Sequence, residues 1–511
     1  MAPCTLFSGP TSANVPIIHP KPTDVVIIGA GPGGLLLALY LLEKGQGRFK
    51  VSIHEAREDP RETLKRPPSP RRSPLGIWHR GLAALQRIEG LWPRVNAVGA
   101  PAFVCKVWVL GRFLSVPHRA EDSPKIVTDR CALCAAMMDL LLARYGGSGL
   151  LDITFDQRCT SVDLRTRSVT FAAPAPSADR NSEGQPGPDQ ASDVGEWNRT
   201  NGTGITKRYD LIVGADGVHS VVRQGIVQST RRFDFEQRDI GWEWLVTRVP
   251  VPPPPVKGDW GLIVLGKPFA LLTPGCPSLE GDSQMNFVIG WTSHEKPPEW
   301  HACTTAEDAK AYLDRAYPWL NIPLKSAEAL LKQRVNTSMQ LKCSVYHDTE
   351  GRAVLIGDAA HATSPTLGQG CNTALEDAAT LASLLLETET VSELPDALES
   401  YSGLRVPEGH ALVDVAESQG PMDRWGVIRN ILNMVWQTML NRLFPKLFPP
   451  HILISVSAGK PLSEIYKANK GFVDSVLASN QRAVRRLTEK RNQERTDAML
   501  AKRFKAAPAG S

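Results

Sequence analysis

Apolar and polar positions settle into a readable pattern at Asp24. Val25 to Ile28 is an unbroken β-branched run, which predicts a parallel strand buried on both faces. Leu35 to Leu42 is apolar and helix-favouring. Val51 to His54 is a second short strand that closes at Glu55. Strand, glycine turn, helix and strand together predict a βαβ unit at the start of the chain. Residues 57–74, rich in Arg and Pro, read as a loop, and a helix is expected from His79 to Leu91. Val104 to Val116 alternates around Gly111 and predicts a hairpin. Cys131 to Leu142 is an apolar helical run. Two further strand-turn-helix patterns occupy Asp210 to Arg223 and Ala353 to Asp377.

Between these lie stretches of a different character. Residues 173–204 are loaded with Ser, Gly, Pro, Asp and Asn and have no period, so a disordered insertion is expected there. Pro252 to Pro255 predicts a stiff extended connector. Residues 225–345 carry strand-like runs such as Leu262 to Leu265 and Asn286 to Ile289, and the chain turns helical from about Ala374. The fold class expected is α/β: a Rossmann-like dinucleotide domain, an inserted mostly-β domain and a helical C-terminal region. The boundaries are a flexible segment 1–23, the dinucleotide domain 24–224 with its hairpin near 104–118, the β domain 225–345, a second part of the dinucleotide domain 346–400, and the helical region 401–511.

Composition narrows the function only by exclusion. With 511 residues and a net charge of +5, the chain has no dense Lys/Arg stripe interleaved with aromatics, which argues against a nucleic-acid partner. Nine scattered cysteines fit a reducing, cytoplasmic setting better than a disulfide framework. Cys131 and Cys134 have CxxC spacing without a second pair, and read as small core residues; no metal site is expected. No stretch approaches ~18 uncharged apolar residues, so no transmembrane span is expected. Gln481 to Lys505 carries nine Lys/Arg against Glu489, Glu494 and Asp497. This basic C-terminal helix is either a solvated face or a peripheral membrane contact.

Three motifs carry the chemistry. Gly29-Ala30-Gly31-Pro32-Gly33-Gly34 follows a strand and opens a helix. Its glycines allow a tight turn and close backbone approach to a pyrophosphate at the helix N-terminus. Glu55, at the end of the next strand, can accept ribose hydroxyl hydrogen bonds. The second motif, DLIVGADGVHSVVR, delivers Asp216-Gly217 to a turn, with a structural cap as the equally good alternative. The third, AVLIGDAAHATSPTLGQGCNTALED, ends its strand at Asp358, where a carboxylate can take a ribityl hydroxyl. The loop Pro365, Gly368, Gly370 then opens a helix near Asn372, whose N–H groups and dipole suit an electron-rich ring edge. His361 reads as a packed or capping residue rather than an acid–base group.

In this order and at these distances, the motifs resemble those of the class A flavoprotein aromatic hydroxylases. The resemblance implies FAD as cofactor, NAD(P)H as reductant, O2 as co-substrate, and hydroxylation of a small aromatic compound through a flavin C4a-hydroperoxide. It assigns Gly29, Gly31, Gly34, Glu55 and Ala56 to the ADP half of FAD, Asp216 to FAD and pyridine nucleotide, and Asp358 to the ribityl chain. It also assigns Arg130 to the flavin side chain, and Pro365, Gly368, Gly370, Cys371 and Asn372 to the ring. Within the class the chain is similar to the kynurenine 3-monooxygenases through His54-Glu55-Ala56-Arg57-Glu58-Asp59, His79-Arg80-Gly81, Arg232-Phe233-Asp234, Lys342-Cys343-Ser344 and Leu404-Arg405-Val406-Pro407. Where that family clamps an amino-acid carboxylate with an arginine and a tyrosine, this chain has Lys106 and His118. Lys106 is then the expected substrate anchor, and an aromatic substrate other than kynurenine is implied. Alternatives are an epoxidase or isoprenoid reductase, a halogenase suggested by Trp242-Glu243-Trp244, and a non-catalytic flavoprotein scaffold.

Overall fold

A computed structural model describes residues 21–65, 73–101, 104–109, 112–115, 125–172, 205–254, 256–264, 269–275, 284–292, 299–333, 335–420 and 424–506. The disordered insertion expected at 173–204 and the candidate clamp residue His118 lie outside the described residues.

The chain begins as its pattern predicts. β1 (Thr23–Ile28) leads through the glycine turn into α1 (Pro32–Lys44) and back into β2 (Phe49–His54). Among its described residues the Arg/Pro-rich stretch holds a short helical turn, Pro60–Leu64, which Asp59 caps by accepting from the Arg61 amide (2.8 Å). The helix expected from His79 to Leu91 is broken in two, His79–Gln86 and Leu91–Ala97, by Gly90 in the left-handed region. The hairpin strands β3 (Val104–Val109) and β4 (Arg112–Ser115) follow, then α2 (Arg130–Tyr145), β5 (Leu151–Thr154), β6 (Leu211–Gly214) and α3 (Val221–Ser229).

The middle of the chain supplies β7 (Phe235–Pro250), β8 (Trp260–Val264), β9 (Phe269–Pro274) and β10 (Gln284–Thr292), then helices α4 (Ala306–Ala316) and α5 (Leu324–Leu331), and β11 (Asn336–Cys343). The last strand, β12 (Ala353–Leu355), precedes α6 (Gly370–Glu387), α7 (Leu394–Ser418), α8 (Arg424–Leu443) and α9 (Lys470–Ala506).

Two sheets organise these elements. The first is parallel, in the order β12-β6-β1-β2-β5, with Val26 beside Ser52 on one side and Ile212 on the other. The second has seven strands, in the order β11-β7-β10-β9-β8-β3-β4. The hairpin β3–β4, expected within the dinucleotide domain, extends this second sheet: β3 pairs in parallel with β8, Lys106 beside Leu262.

Side-chain alternation then divides the second sheet into unlike faces. One face carries Leu245, Leu262, Leu272 and Phe287, all fully buried against α4 and α5. The other carries a row of aliphatics that register across five strands: Val107, Ile263, Leu271, Val288 and Val246. The first four of these are only half-buried. Cys131 and Cys134 are free thiols, and Cys134 packs in the core, as expected of small core residues.

Candidate FAD site

The three motifs meet because β12, β6 and β1 are neighbours, so Asp358, Asp216 and Gly29 leave the same end of one sheet. This is where an open α/β sheet forms its ligand crevice. Backbone hydrogen bonds lock the strand ends together: Ala215 N–H to the Ile28 carbonyl (2.8 Å) and Ile356 N–H to the Gly214 carbonyl (3.0 Å).

Gly29 adopts φ +108°, and a Cβ there would stand 2.4 Å from the Ala215 carbonyl oxygen. A Cβ on Gly34 would stand 2.3 Å from the Gly29 oxygen, so these two glycines allow turn, helix and neighbouring strand to touch. Gly31 differs: a Cβ there would meet nothing nearer than the Arg130 guanidinium at 3.8 Å. The N-terminus of α1 therefore looks into open space with a cation on its far side, which fits a pyrophosphate. Glu55 accepts from the amides of Ala30 (2.8 Å) and Arg57 (3.0 Å), which ties β2 and the bend at Ala56 to the glycine turn.

Arg130 opens α2 behind Asp129, whose carboxylate caps the helix by accepting from the Cys131 amide (2.8 Å). Protein surrounds Arg130, yet its side chain keeps an exposed surface, and Asp358 is likewise exposed at the head of its own helical turn. Groups enclosed by protein but still open to solvent line a cavity. Burial opposes the Arg130 charge, but Cys134, Asp358 and Glu55 around it raise its pKa above the usual value. A Cβ on Gly370 would lie 3.9 Å from Asp358 Oδ1. Burial pushes the Cys371 thiol beside them up to about 12, so it stays protonated.

Asp216 fills the capping role foreseen for it. Oδ2 accepts from the amides of Val221 (2.7 Å) and Val222 (3.4 Å), capping α3. Oδ1 is buried with no hydrogen-bond partner, and burial raises the carboxyl pKa. A buried carboxylate oxygen with spare accepting capacity can take a donor from a bound ligand or from water. Arg223 joins this motif to the third, since it donates to the carbonyls of Ala359 (3.0 Å) and Val218 (2.6 Å).

The loop at Pro365 to Gly370 is held from behind. Thr366 Oγ1 donates to the Ala416 carbonyl (2.6 Å), and Leu367 is buried against α7 and the C-terminal helices. Gly368, at φ +61°, turns the chain into α6 beside the Trp78 indole.

Two expectations change. Asn372 does not present its side chain to a ligand: it is fully buried, accepts from the Trp78 amide (2.8 Å) and donates to the carbonyls of Gly76 (2.9 Å) and Gly368 (3.1 Å). All of its reach goes into stitching α6 to the strand Pro74–Ile77, so it positions the loop. Lys106 lies on the helix-covered face of the second sheet, its ammonium 4.9 Å from the Trp260 ring centroid and its residue paired with Leu262. A two-residue period cannot bring it to the aliphatic row, which belongs to the opposite face. Lys106→Met should therefore change KM for any aromatic substrate by no more than about twofold, since its side chain lies on the face of the sheet opposite the aliphatic row.

His361 is packed, as read: Nε2 meets Asp377 Oδ2 at 2.6 Å, and Asp377 Oδ1 accepts from Arg405 Nε (2.7 Å). Asp377 also accepts from the Gly357 amide (2.9 Å), which fixes the turn presenting Asp358. The sequence reading missed this role. Its one signal was a carboxylate on the apolar face of α6, between Leu375 and Ala378. Within Trp242-Glu243-Trp244, Glu243 accepts from Trp291 Nε1 (2.7 Å) inside the sheet, which is a structural use.

The profile of the FAD binding domain family matches residues 190–416. The chain is 26% identical over 438 residues to violacein synthase of Chromobacterium violaceum, covering 83% of this chain and 91% of that protein. It is 27% identical over 455 residues to kynurenine 3-monooxygenase 3 of Aspergillus niger, covering 81% and 83%. Among solved structures it superposes on 2-methyl-3-hydroxypyridine-5-carboxylic acid oxygenase, with TM-score 0.58 and 19% identity over 86% of this chain and 96% of that one. It also superposes on a Klebsiella pneumoniae HpxO variant solved with FAD, with TM-score 0.55 and 18% identity over 90% and 98%. With the site just described, these likenesses support an oxidoreductase that binds FAD and is similar to the FAD-dependent monooxygenases. Its sequence is similar to those of kynurenine 3-monooxygenases, at low identity.

Proposed function

We propose that this enzyme hydroxylates a small, largely apolar aromatic compound held between the Pro365–Gly370 loop and the open face of the second sheet. The observation that carries the reading is the half-buried row Val107, Ile263, Leu271 and Val288. Arg248 shares that face with Val246 and reaches Asp129 at 3.8 Å, beside Arg130, so the row looks toward the FAD site. Extended aliphatic surface facing a cofactor suits a flat apolar ring. The cations nearby support a substrate without a carboxylate: Arg248 faces Asp129, Arg238 faces Glu417 (2.6 Å) and Lys342 faces Asp414 (2.5 Å).

The proposed division of labour follows from the contacts. The turn at Gly29, Gly31 and Gly34 with the N-terminus of α1 and Arg130 would hold the pyrophosphate, Glu55 and Ala56 the ribose end, and Asp358 the ribityl hydroxyls. Asp216, through its unpartnered Oδ1, would take one further hydrogen bond. Pro365, Gly368, Gly370 and Cys371 would line the ring, while Asn372 and Thr366 hold their loop still. When bound, FAD supplies electron transfer from NAD(P)H and the activation of O2. The protein's own task is to place the aromatic ring and keep water out, which the aliphatic row does by its surface alone.

Purified protein should show a flavin spectrum and NAD(P)H oxidation that rises with one of kynurenine, anthranilate, simple phenols or indoles, with one oxygen atom from O2 in the product. A flavin-loaded protein that no aromatic stimulates would favour an epoxidase or reductase. Ile263→Glu should raise KM roughly tenfold or more at unchanged FAD content, because it places a charge in the apolar row. An unchanged KM would move the substrate off this face.

A cytoplasmic location accords with the free thiols at Cys131, Cys134, Cys159, Cys303, Cys343 and Cys371. Among the described residues no helix is long and apolar enough to cross a membrane.

A further inference from the structure

A second row runs beside the aliphatic one on the open face of the second sheet. Side chains two residues apart on a strand share a face, so Trp244, Gly290 and Phe269 follow Val246, Val288 and Leu271. Backbone pairing sets the three in one line across adjacent strands: Trp244 on β7 beside Gly290 on β10, and Gly290 beside Phe269 on β9. Their chain neighbours Leu245, Ile289 and Ala270 pack on the opposite, helix-covered face. The line therefore holds two half-buried aromatic side chains with a residue that has none between them.

The gap over Gly290 is not filled from either side. Gly290 is buried, yet a Cβ there would meet only the Glu243 carbonyl oxygen (3.3 Å) and the Trp244 Cβ (3.7 Å). No ring atom of Trp244 or Phe269 comes within 4 Å of that point. An aromatic that merely covers a strand glycine would fold its ring over it; here both rings stand to the side. Trp291, on the covered face, donates its indole N–H to Glu243 (2.7 Å) and pairs with the Trp300 ring at 6.5 Å. Among the described residues Trp244 makes neither kind of contact, so its ring is not spent on completing the core.

Strand geometry decides what fits. Two strand spacings put the Trp244 and Phe269 backbones roughly 9.6 Å apart. A flat ring seated midway lies about 4.8 Å from each, inside the roughly 4.5–7 Å separation of paired aromatic rings. Along β7 the next side chain on this face is Trp242, which stands against the Pro365–Gly370 loop. A Cβ on Gly420 would lie 3.4 Å from Trp242 Nε1 and 3.5 Å from Thr366 Cγ2. The gap thus lies between the aliphatic row and that loop, roughly 6.7 Å from the row, or two residues along a strand. One ring seated in the gap leaves the row uncovered, whereas two rings fill both.

We propose that Trp244, Gly290 and Phe269 form a slot that selects a substrate with two aromatic rings, fused or directly linked. One ring sits between Trp244 and Phe269, and the other lies on the aliphatic row. The inference rests on the reading of the open face as the substrate surface, and names the substrate class for it.

The test uses the full-length, FAD-loaded protein with phenol as one-ring probe, and 2-naphthol and 4-phenylphenol as two-ring probes. Affinity is read from the change each causes in the flavin absorption spectrum, and KM from stimulated NAD(P)H oxidation. The better two-ring probe should bind at least about tenfold tighter than phenol, through contact with two ring walls. Gly290→Leu fills the slot and should bring that ratio to about one. Trp244→Leu removes one wall but keeps an apolar side chain, and should lower the ratio roughly threefold or more. The ratio is decisive, because a variant that only loosens the sheet weakens all three probes together. FAD content per chain checks each fold, and Trp244→Leu carries the test should Gly290→Leu not fold. A wild-type ratio near one, or a ratio that neither variant moves, overturns the slot. Ile263→Glu keeps the two failures apart: if it still weakens every probe, the open face remains the substrate surface. If no probe perturbs the flavin or stimulates oxidation, that reading fails and the slot with it.

Discussion

Gly29→Ala should yield a folded protein that purifies without colour. The expected loss of FAD affinity is at least about 100-fold, or roughly 2.7 kcal/mol. Two costs act together. At φ +108° an L side chain is strained by about 1–2 kcal/mol. In addition, the new methyl would stand 2.4 Å from the Ala215 oxygen, which is backbone and cannot swing aside. The forced shift moves the Ala215-Asp216 turn, so one methyl displaces parts of two motifs. Flavin absorbance per chain and fluorimetric titration with FAD measure the loss, and far-UV circular dichroism reports the fold. Gly47→Ala is the control. Gly47 also has a positive φ (+83°), but a Cβ there meets nothing within 4 Å. It should cost about 1 kcal/mol in stability and leave FAD loading intact. A Gly29→Ala protein with normal colour would dissociate the glycine turn from cofactor binding.

The contrast between the two glycines also shows what was legible in the chain. The motifs could be read because backbone constraints are local: a glycine turn after a β-branched run admits few other geometries, and the strands, α1 and the meeting of Gly29, Asp216 and Asp358 follow from it. Lys106 and Asn372 could not be read this way. The facing of Lys106 depends on its register with Leu262, a partner far away in sequence, and on α4 and α5 covering that side of the sheet. The hairpin pattern was visible, but its membership of the second sheet was not. Asn372 lies in the motif loop, yet Trp78 and Gly76, which are close only in space, take its hydrogen-bonding capacity.

Asp377→Asn is the substitution expected to cost most in stability, about 3–5 kcal/mol, and to weaken FAD binding with it. Burial alone would raise the Asp377 carboxyl pKa. His361 and Arg405, with the amide of Gly357, outweigh burial and hold it at about 2. Removing the charge leaves the buried Arg405 with Glu376 alone (3.0 Å) and loosens the Gly357 turn that presents Asp358. Thermal unfolding should fall by on the order of 5 °C for a chain of this size, and added FAD should recover less of the loss than in the parent protein. The sign of the pH dependence follows from the depressed carboxyl. An acid held below its unfolded value stabilises the fold fully above that value, and the contribution disappears as pH falls through the folded value. For Asp377 the window runs from about 4 down to about 2 and is worth roughly 2 kcal/mol. The parent protein should therefore lose stability steeply across that window, and the Asn variant, already lacking the charge, should show a shallower slope there. Equal slopes would mean that the buried carboxylate is not what secures the third motif.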